Sequence, residues 1–423
     1  MDGPSIDGLW RGQAMLLSSS ARSTHTAATV GWCGSATQTD LAPNVVAGYA
    51  VHWVYAIPSD GQNRFSTYAS AMQADAESIA SWWHSQDATR GPRNDLVQLS
   101  CGAQLDISSV RLPHSSADLR PESERFPTVA SDLAGLGLES SFDKYLVYYD
   151  GPVDDTRLCG QGNTSPLVRG YAEVYVQSCP GVSVAVVAAH EMTHTFGAVQ
   201  SGAPHMCPAP SDGHVCDSAT DLMYPFADGP LSAHSLDAGR DDYYGHGGSW
   251  WDVQDSPWLV QLDRQAPLTL TVTGSGSVVS DVPGLQCTAT CTTSWNADTV
   301  VGLQATPAPG MKLVRWGGAC SGSVVCRVTV APGVVASALF APAIFRLSIR
   351  VGGRGTVRST SGGIACPKRC SATVASYASI RLTAKPAKGW RFKSWQGSCR
   401  GKRAVCAVPM SADTSARAVF TRR

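Results

Sequence analysis

Apolar residues recur along this chain in two rhythms, and the rhythm changes near residue 264. Before that point, runs suited to buried strands alternate with helical spacings. Gly48 to Ile57 (GYAVHWVYAI) reads as a strand. Phe65 to His84 carries Met72, Ile79, Trp82 and Trp83 at intervals that put them on one buried helical face. Leu96 to Val110 is strand material, with a cysteine at 101. Lys144 to Tyr149 (KYLVYY) is continuously apolar, as expected of a central strand covered on both sides. Tyr171 to Val176 alternates and reads as an edge strand above a cleft. Val182 to Ala189 (VSVAVVAA) is a run of mostly small apolar residues that would bury a following helix. Beyond residue 264 the period is two. Leu268 to Val272 (LTLTV) and Phe345 to Ile349 (FRLSI) alternate, and Gly and Pro punctuate the stretches between strands.

The second rhythm is an internal repeat. Gly276, Val278, Cys287, Cys291, Leu303, Ala305, Pro307, Gly310, Trp316 and Cys320 match Gly355, Val357, Cys366, Cys370, Leu382, Ala384, Pro386, Gly389, Trp395 and Cys399, each 79 residues on. One inserted residue shifts Cys326 and Phe340 onto Cys406 and Phe420. A fixed offset held at so many positions marks one structural unit used twice. The chain therefore divides into 1–264, 265–341 and 342–423.

Residues 190–197 (HEMTHTFG) carry the chemistry. On a helix, positions i and i+4 share a face, so His190 and His194 can both turn a ring nitrogen to one Zn²⁺. Glu191 projects beside them as a general base for a water held there, and Gly197 suits a sharp helix stop. The sequence continues to Asp221-Leu222-Met223-Tyr224-Pro225.

HExxHxxG followed by Met-Tyr-Pro resembles the metzincin zinc endopeptidases, and the longer string HEMTHTFGAVQSGAPH…GHVCDSATDLMYP is similar to a group of secreted actinobacterial metalloproteases. The resemblance covers 190–225 firmly and the preceding domain in outline. It implies an α+β, metzincin-like zincin domain with a mixed twisted sheet and an active-site helix. It also implies that His190 and His194 are ligands, that Glu191 is the base and that Met223 forms a floor beneath the metal. Tyr224 is a further candidate, as an oxyanion donor. The pattern breaks where a third His is expected, because Gln200 stands there. His214 is the first replacement, nine residues before Met223 in a spacing similar to that of matrixins; His205 and then Asp217 are the alternatives. The aromatic and acidic stretch LDAGRDDYYGHGGSWWDVQDSPW reads as a packed lobe, with a cleft wall or a Ca²⁺ site as the functional alternative. No calcium motif stands behind the latter. The repeats, with a Cys pair, L-x-A-x-P, W-x-G-x-C and a closing aromatic, resemble internalin B-type bacterial surface repeats. That resemblance implies a spacer or attachment role.

The rest of the composition places the molecule. Fourteen cysteines, an even number, suit disulfides in an oxidising compartment, local pairs 320–326 and 399–406 foremost and 287–291 and 366–370 next. Paired C-x₂-C knuckles of a zinc ribbon are absent. A secreted or cell-surface location follows, although the opening MDGPSIDGLWRGQAMLLSSSARS shows no export signal, Ala14 to Leu17 being too short an apolar run. No stretch reaches 18 apolar residues, so no membrane-spanning helix is expected. The absence of G-x-S-x-G disfavours a serine hydrolase. The expected reaction is hydrolysis of a protein or peptide substrate. A non-catalytic adhesion protein and a zinc hydrolase of cell-wall peptide or amide are the alternatives. Net charge is zero only as a sum: 1–264 holds 13 Lys and Arg against 30 Asp and Glu, 265–341 holds 3 against 2, and 342–423 holds 17 against 1. So basic a last unit is expected to meet an anionic partner such as a cell-wall polymer or polysaccharide.

Overall fold

The computed structural model describes residues 13–17, 48–99, 102–322, 325–376 and 378–423. Cys33 and Cys101 lie outside the described residues, as do the first twelve residues of the opening segment.

In the first unit the elements are β1 (Gln13–Leu17), β2 (Ala50–Ile57), α1 (Phe65–Gln86), β3 (Arg90–Pro92), the hairpin β4 (Leu96–Leu99) and β5 (Gly102–Leu105), and β6 (Ile107–Arg111). There follow α2 (Glu122–Gly135), β7 (Asp143–Tyr149), β8 (Leu158–Gly162), β9 (Gly170–Tyr175), α3 (Val184–Thr195), β10 (Phe226–Ala227) and β11 (Leu259–Gln261). Seven strands form one mixed sheet in the order β10-β1-β8-β9-β7-β2-β6. The block from β9 to β6 is parallel, and β8 runs antiparallel to both of its neighbours.

Both faces of this sheet are covered, which explains its continuous apolar runs. Val51, Trp53, Tyr55 and Ile57 of β2 and Leu146 and Tyr148 of β7 face a core shared with α1 and α3. Val54, Ala56, Tyr145, Val147 and Tyr149 face the other way, against Phe126, Val129, Ala130 and Leu133 of α2. One expectation is corrected here. The strand at 171–176 is not an edge; β9 sits between β7 and β8 and all its residues are buried. Alternation misled because Tyr171 and Tyr175 are amphipathic by composition, while the second face is in fact covered by α2.

The two repeats share one design. In the first, a sheet of 290–296, 265–273, 335–342 and 311–318 stands beside a sheet of 286–287, 276–280, 300–307 and 325–329; in the second the same order returns with 371–375, 344–352, 414–422 and 390–397, and 365–366, 355–359, 379–386 and 405–409. Register repeats too: Leu303 faces Cys326 as Leu382 faces Cys406. Each unit has its own core, closed by Trp316 and Phe340 in one and Trp395 and Phe420 in the other.

The units are not strung on loose linkers. Asn296 of the first repeat accepts from Arg93 at 2.8 Å and from the Gln261 backbone at 3.2 Å, and donates to the Leu259 carbonyl at 2.9 Å. Between the repeats, Ala343 donates to Gly310 and accepts from Ser376. All twelve described cysteines are paired: 159–179, 207–216, 287–291, 320–326, 366–370 and 399–406. Such density suits an oxidising environment. Among the described residues no helix is long and apolar enough to cross a membrane.

Candidate metal centre

The helix α3 begins after Ser183 in an apolar run and is buried over nearly its whole length. Gly197 stops it at φ +114°, a conformation that disfavours side chains, and a Cβ there would come within 2.5 Å of Trp251, whose indole donates to the Phe196 carbonyl. The helix lies against β8 at its two glycines. A Cβ on Gly160 would sit 2.8 Å from Glu191 Cγ, and one on Gly162 would sit 2.6 Å from the Glu191 carbonyl. The alternating glycines of Cys159-Gly160-Gln161-Gly162 are therefore what let the helix reach the sheet at Glu191. That short, glycine-broken strand carries no apolar rhythm, so sequence reasoning passed over it.

His190, His194 and His214 come together. Candidate ligand atoms of the three lie within 4.8 Å of one another, and the ring centroids are 4.8, 4.9 and 5.1 Å apart. Each Nδ1 is committed to a backbone carbonyl: His190 to Leu222 at 2.6 Å, His194 to Ala198 at 2.7 Å, His214 to Ser211 at 3.1 Å. A carbonyl only accepts, so each Nδ1 carries the proton and each Nε2 keeps its lone pair. All three Nε2 atoms are buried and have no hydrogen-bond partner among the described residues. Leaving a buried polar atom unpaired costs about 1–3 kcal/mol, and three such atoms converging on one point is the arrangement a divalent cation would satisfy. Burial holds His190 and His194 well below the usual imidazole range and brings His214 down to about 4, so the neutral, ligating form is favoured. The donor set fits Zn²⁺, which takes imidazole nitrogen readily and keeps an open position beside three protein ligands.

Glu191, one residue along from His190, is fully buried. Burial pushes its carboxyl well above the ordinary range, and neither oxygen has a hydrogen-bond partner among the described residues. The loop that delivers His214 is built by its neighbours. The Cys207–Cys216 disulfide brackets it, Cys207 donates to the His214 carbonyl at 2.8 Å, and Val215 donates to the Met223 carbonyl at 3.0 Å. Met223 is buried in the same core as α3. Its N–H is held by Asp221, which also accepts from Ala238 and from the Tyr243 hydroxyl.

The other candidates lie elsewhere. His205 is part-exposed and pairs with Asp242 at 3.1 Å, with Asp217 and Asp241 each 3.8 Å away. Gln200 turns back to the Gly197 carbonyl. The ring of Tyr224 packs against Phe226 at 5.8 Å. In the acidic lobe, Asp237 takes the N–H groups of residues 242, 243 and 244, and Asp252 those of 245, 246 and 254. These two carboxylates are loop caps, while Asp241 and Asp242 cluster with His205.

Comparison with known proteins adds one firm point. The profile of the divergent InlB B-repeat domain matches residues 268–343 and 355–423. No curated protein sequence matches the chain. Among solved structures, the chain aligns with the Bacillus anthracis TIE protein at 9% identity and TM-score 0.24, over 38% of this chain and 34% of that one. It aligns with metalloproteinase-II from Bacteroides fragilis at 15% and 0.27, over 46% and 52%. With wild-type OgpA from Akkermansia muciniphila the values are 12% and 0.28, over 72% and 88%. The chain thus spans about a third and about half of the first two proteins. With TM-scores this low, none of the three bears on what the chain does.

Proposed function

We propose that this protein is a secreted or cell-surface zinc endopeptidase. The observation that carries the reading is the convergence of three orphaned, neutral Nε2 atoms beside a buried carboxylate. His190, His194 and His214 would hold the ion, and Met223 would lie beneath it. A bound Zn²⁺ would polarise the scissile carbonyl and make a water at its open position acidic enough to ionise near neutrality. Glu191 takes the proton of the attacking water and returns it to the leaving amine. Its burial one residue along from His190 supports that role. Glu191 also distinguishes this reading from that of a binding protein with a structural metal, which needs no base beside its ligands.

The last repeat is proposed as the attachment unit. All seventeen of its basic side chains are exposed, so their charge is available to an anionic polymer or surface. The test of the catalytic reading is elemental analysis together with peptide hydrolysis. One zinc per chain is expected, with activity lost to a chelator and to Glu191→Ala. Protein free of zinc after purification without chelators, or a Glu191→Ala variant of full activity, would exclude it.

A further inference from the structure

A second group of buried, ligand-type side chains lies away from α3. His52 stands between Val51 and Trp53 on β2, so strand alternation turns it to the face opposite the one that α1 and α3 cover. Asp106 directly precedes β6 and Asp143 opens β7, the two strands that flank β2 in the sheet. Asp95 comes in from the segment between β3 and β4. Its N–H donates to the Val51 carbonyl at 2.9 Å, and its own carbonyl accepts from Asp106 at 3.0 Å. Candidate ligand atoms of His52, Asp95 and Asp106 lie within 4.8 Å of one another. Asp143 is close enough for its charge to act on both His52 and Asp95. All four side chains are fully buried.

The imidazole is held from both sides. Nε2 lies 2.8 Å from the Ser108 hydroxyl and Nδ1 lies 3.1 Å from Asp95 Oδ2. An ionised carboxylate only accepts, so a proton or a metal ion has to lie between it and Nδ1. Even a fully protonated ring offsets one negative charge, and the group holds three carboxyls. Burial raises Asp143 only to about 6, which leaves it largely ionised at neutral pH. Among the described residues Asp95 forms an ion pair with His52 alone. Its Oδ1 is buried and has no hydrogen-bond partner among those residues. Charges this deep in a protein are paired or coordinate a metal, because an isolated one costs too much.

We propose that His52, Asp95 and Asp106 form a second divalent-metal site, with Asp143 as a third carboxylate beside it. One imidazole among carboxylates suits an ion of the Mn²⁺ kind, whereas the three imidazoles of the α3 centre suit Zn²⁺. The ion is structural: it pins the segment from Asp95 to Asp106 onto β2. Arg93, two residues before Asp95, carries the bond to Asn296, so the site also steadies the base of the joint with the first repeat. The inference stands apart from the peptidase reading.

The test produces the full chain in medium rich in Mn²⁺ with limiting Zn²⁺, because ligands so buried load as the chain folds. After gel filtration both metals are counted. About one manganese per chain is expected, counted apart from the zinc of the histidine centre. Asp95→Asn and Asp106→Asn, which keep side-chain size, should each lose the manganese and keep the zinc, and the retained zinc shows that they fold. A further readout needs no change at the site. Electron spin-echo spectra of the bound Mn²⁺ should show coupling to one imidazole nitrogen. His205→Ala, which breaks the more exposed group of His205, Asp241 and Asp242, should alter neither the count nor that coupling. A chain without manganese, manganese retained by both Asn variants, or manganese lost in His205→Ala would each overturn the inference.

Discussion

The two ends of this chain treat polar groups in opposite ways. In the first unit His52, Asp95, Lys144, Glu173, His190, Glu191, His194 and His214 are all at most 2% exposed. In the last repeat every Lys and Arg faces solvent. A buried polar group has its chemistry set by a few named neighbours, so one substitution can remove it. An exposed field is a sum, and no single member decides it. The first repeat sharpens the contrast, because it shares the scaffold of the second without its charge.

The largest expected effect is at the buried end. Glu191→Ala should lower hydrolysis by roughly 10²–10⁴-fold, the contribution of a general base, while metal content stays at one per chain. His214→Ala should instead lose the metal. Elemental analysis beside kinetics separates the two, and equal metal loss in both variants would mean that Glu191 acts as a ligand.

Next comes the contact beneath it. Gly160→Val adds a side chain where even a Cβ would meet Glu191 Cγ at 2.8 Å and the Glu173 carbonyl at 2.6 Å. Overpacking of this kind costs roughly 1–3 kcal/mol, read as a lower denaturant midpoint. A repeat disulfide is comparable in size and different in reach. Removing Cys399–Cys406, a pair seven residues apart, should cost roughly 2–3 kcal/mol in the chain-entropy account. The loss should be confined to the last repeat, with hydrolysis unchanged.

A half-buried carboxylate gives a pH signature. Asp75, hydrogen-bonded by the Tyr148 hydroxyl at 2.8 Å, is pushed up to about 7 by burial. Its folded pKa lies above the unfolded value of about 3.9, so the folded state binds the extra proton. Stability therefore declines as pH rises between those two values and is level above them. Asp75→Asn should flatten that slope in thermal melts; an unchanged slope would show that Asp75 does not titrate in this window.

The smallest effect per residue belongs to the charged end. The full chain should bind anionic polymer with an affinity that falls as salt rises, and a chain ending at Pro342 should bind far less. Single neutralisations such as Lys402→Gln should shift affinity by a factor of about two or less, as expected of exposed charges. Equal binding by the shortened chain would assign recognition to the shared scaffold.

Legibility in the sequence follows the same divide. The spacing of His190, Glu191 and His194 is readable because a helix places i and i+4 by local geometry alone. The repeats were readable because a second copy confirms the first. Which of His205, His214 and Asp217 stands beside the helix pair was not readable, because that depends on the 207–216 disulfide and on backbone pairing to Met223. The helix α2 was missed because ESERFPTVASDLAG opens polar and carries Pro127. The placement of β1 was missed for a different reason: a five-residue strand has no pattern of its own to show, and its partners lie more than 140 residues away.

The joint at Asn296 has a mechanical consequence. Its bonds to Arg93, Gln261 and Leu259, followed by the Ala343 bridge, brace the three units as a strut rather than a tether. A tether lets a working head sweep a volume; a strut holds it at one stand-off and one tilt. If the last repeat attaches the chain as proposed, its partner would therefore set which way the metal centre faces. Loosening the joint with Asn296→Ala would widen the sweep without altering either end.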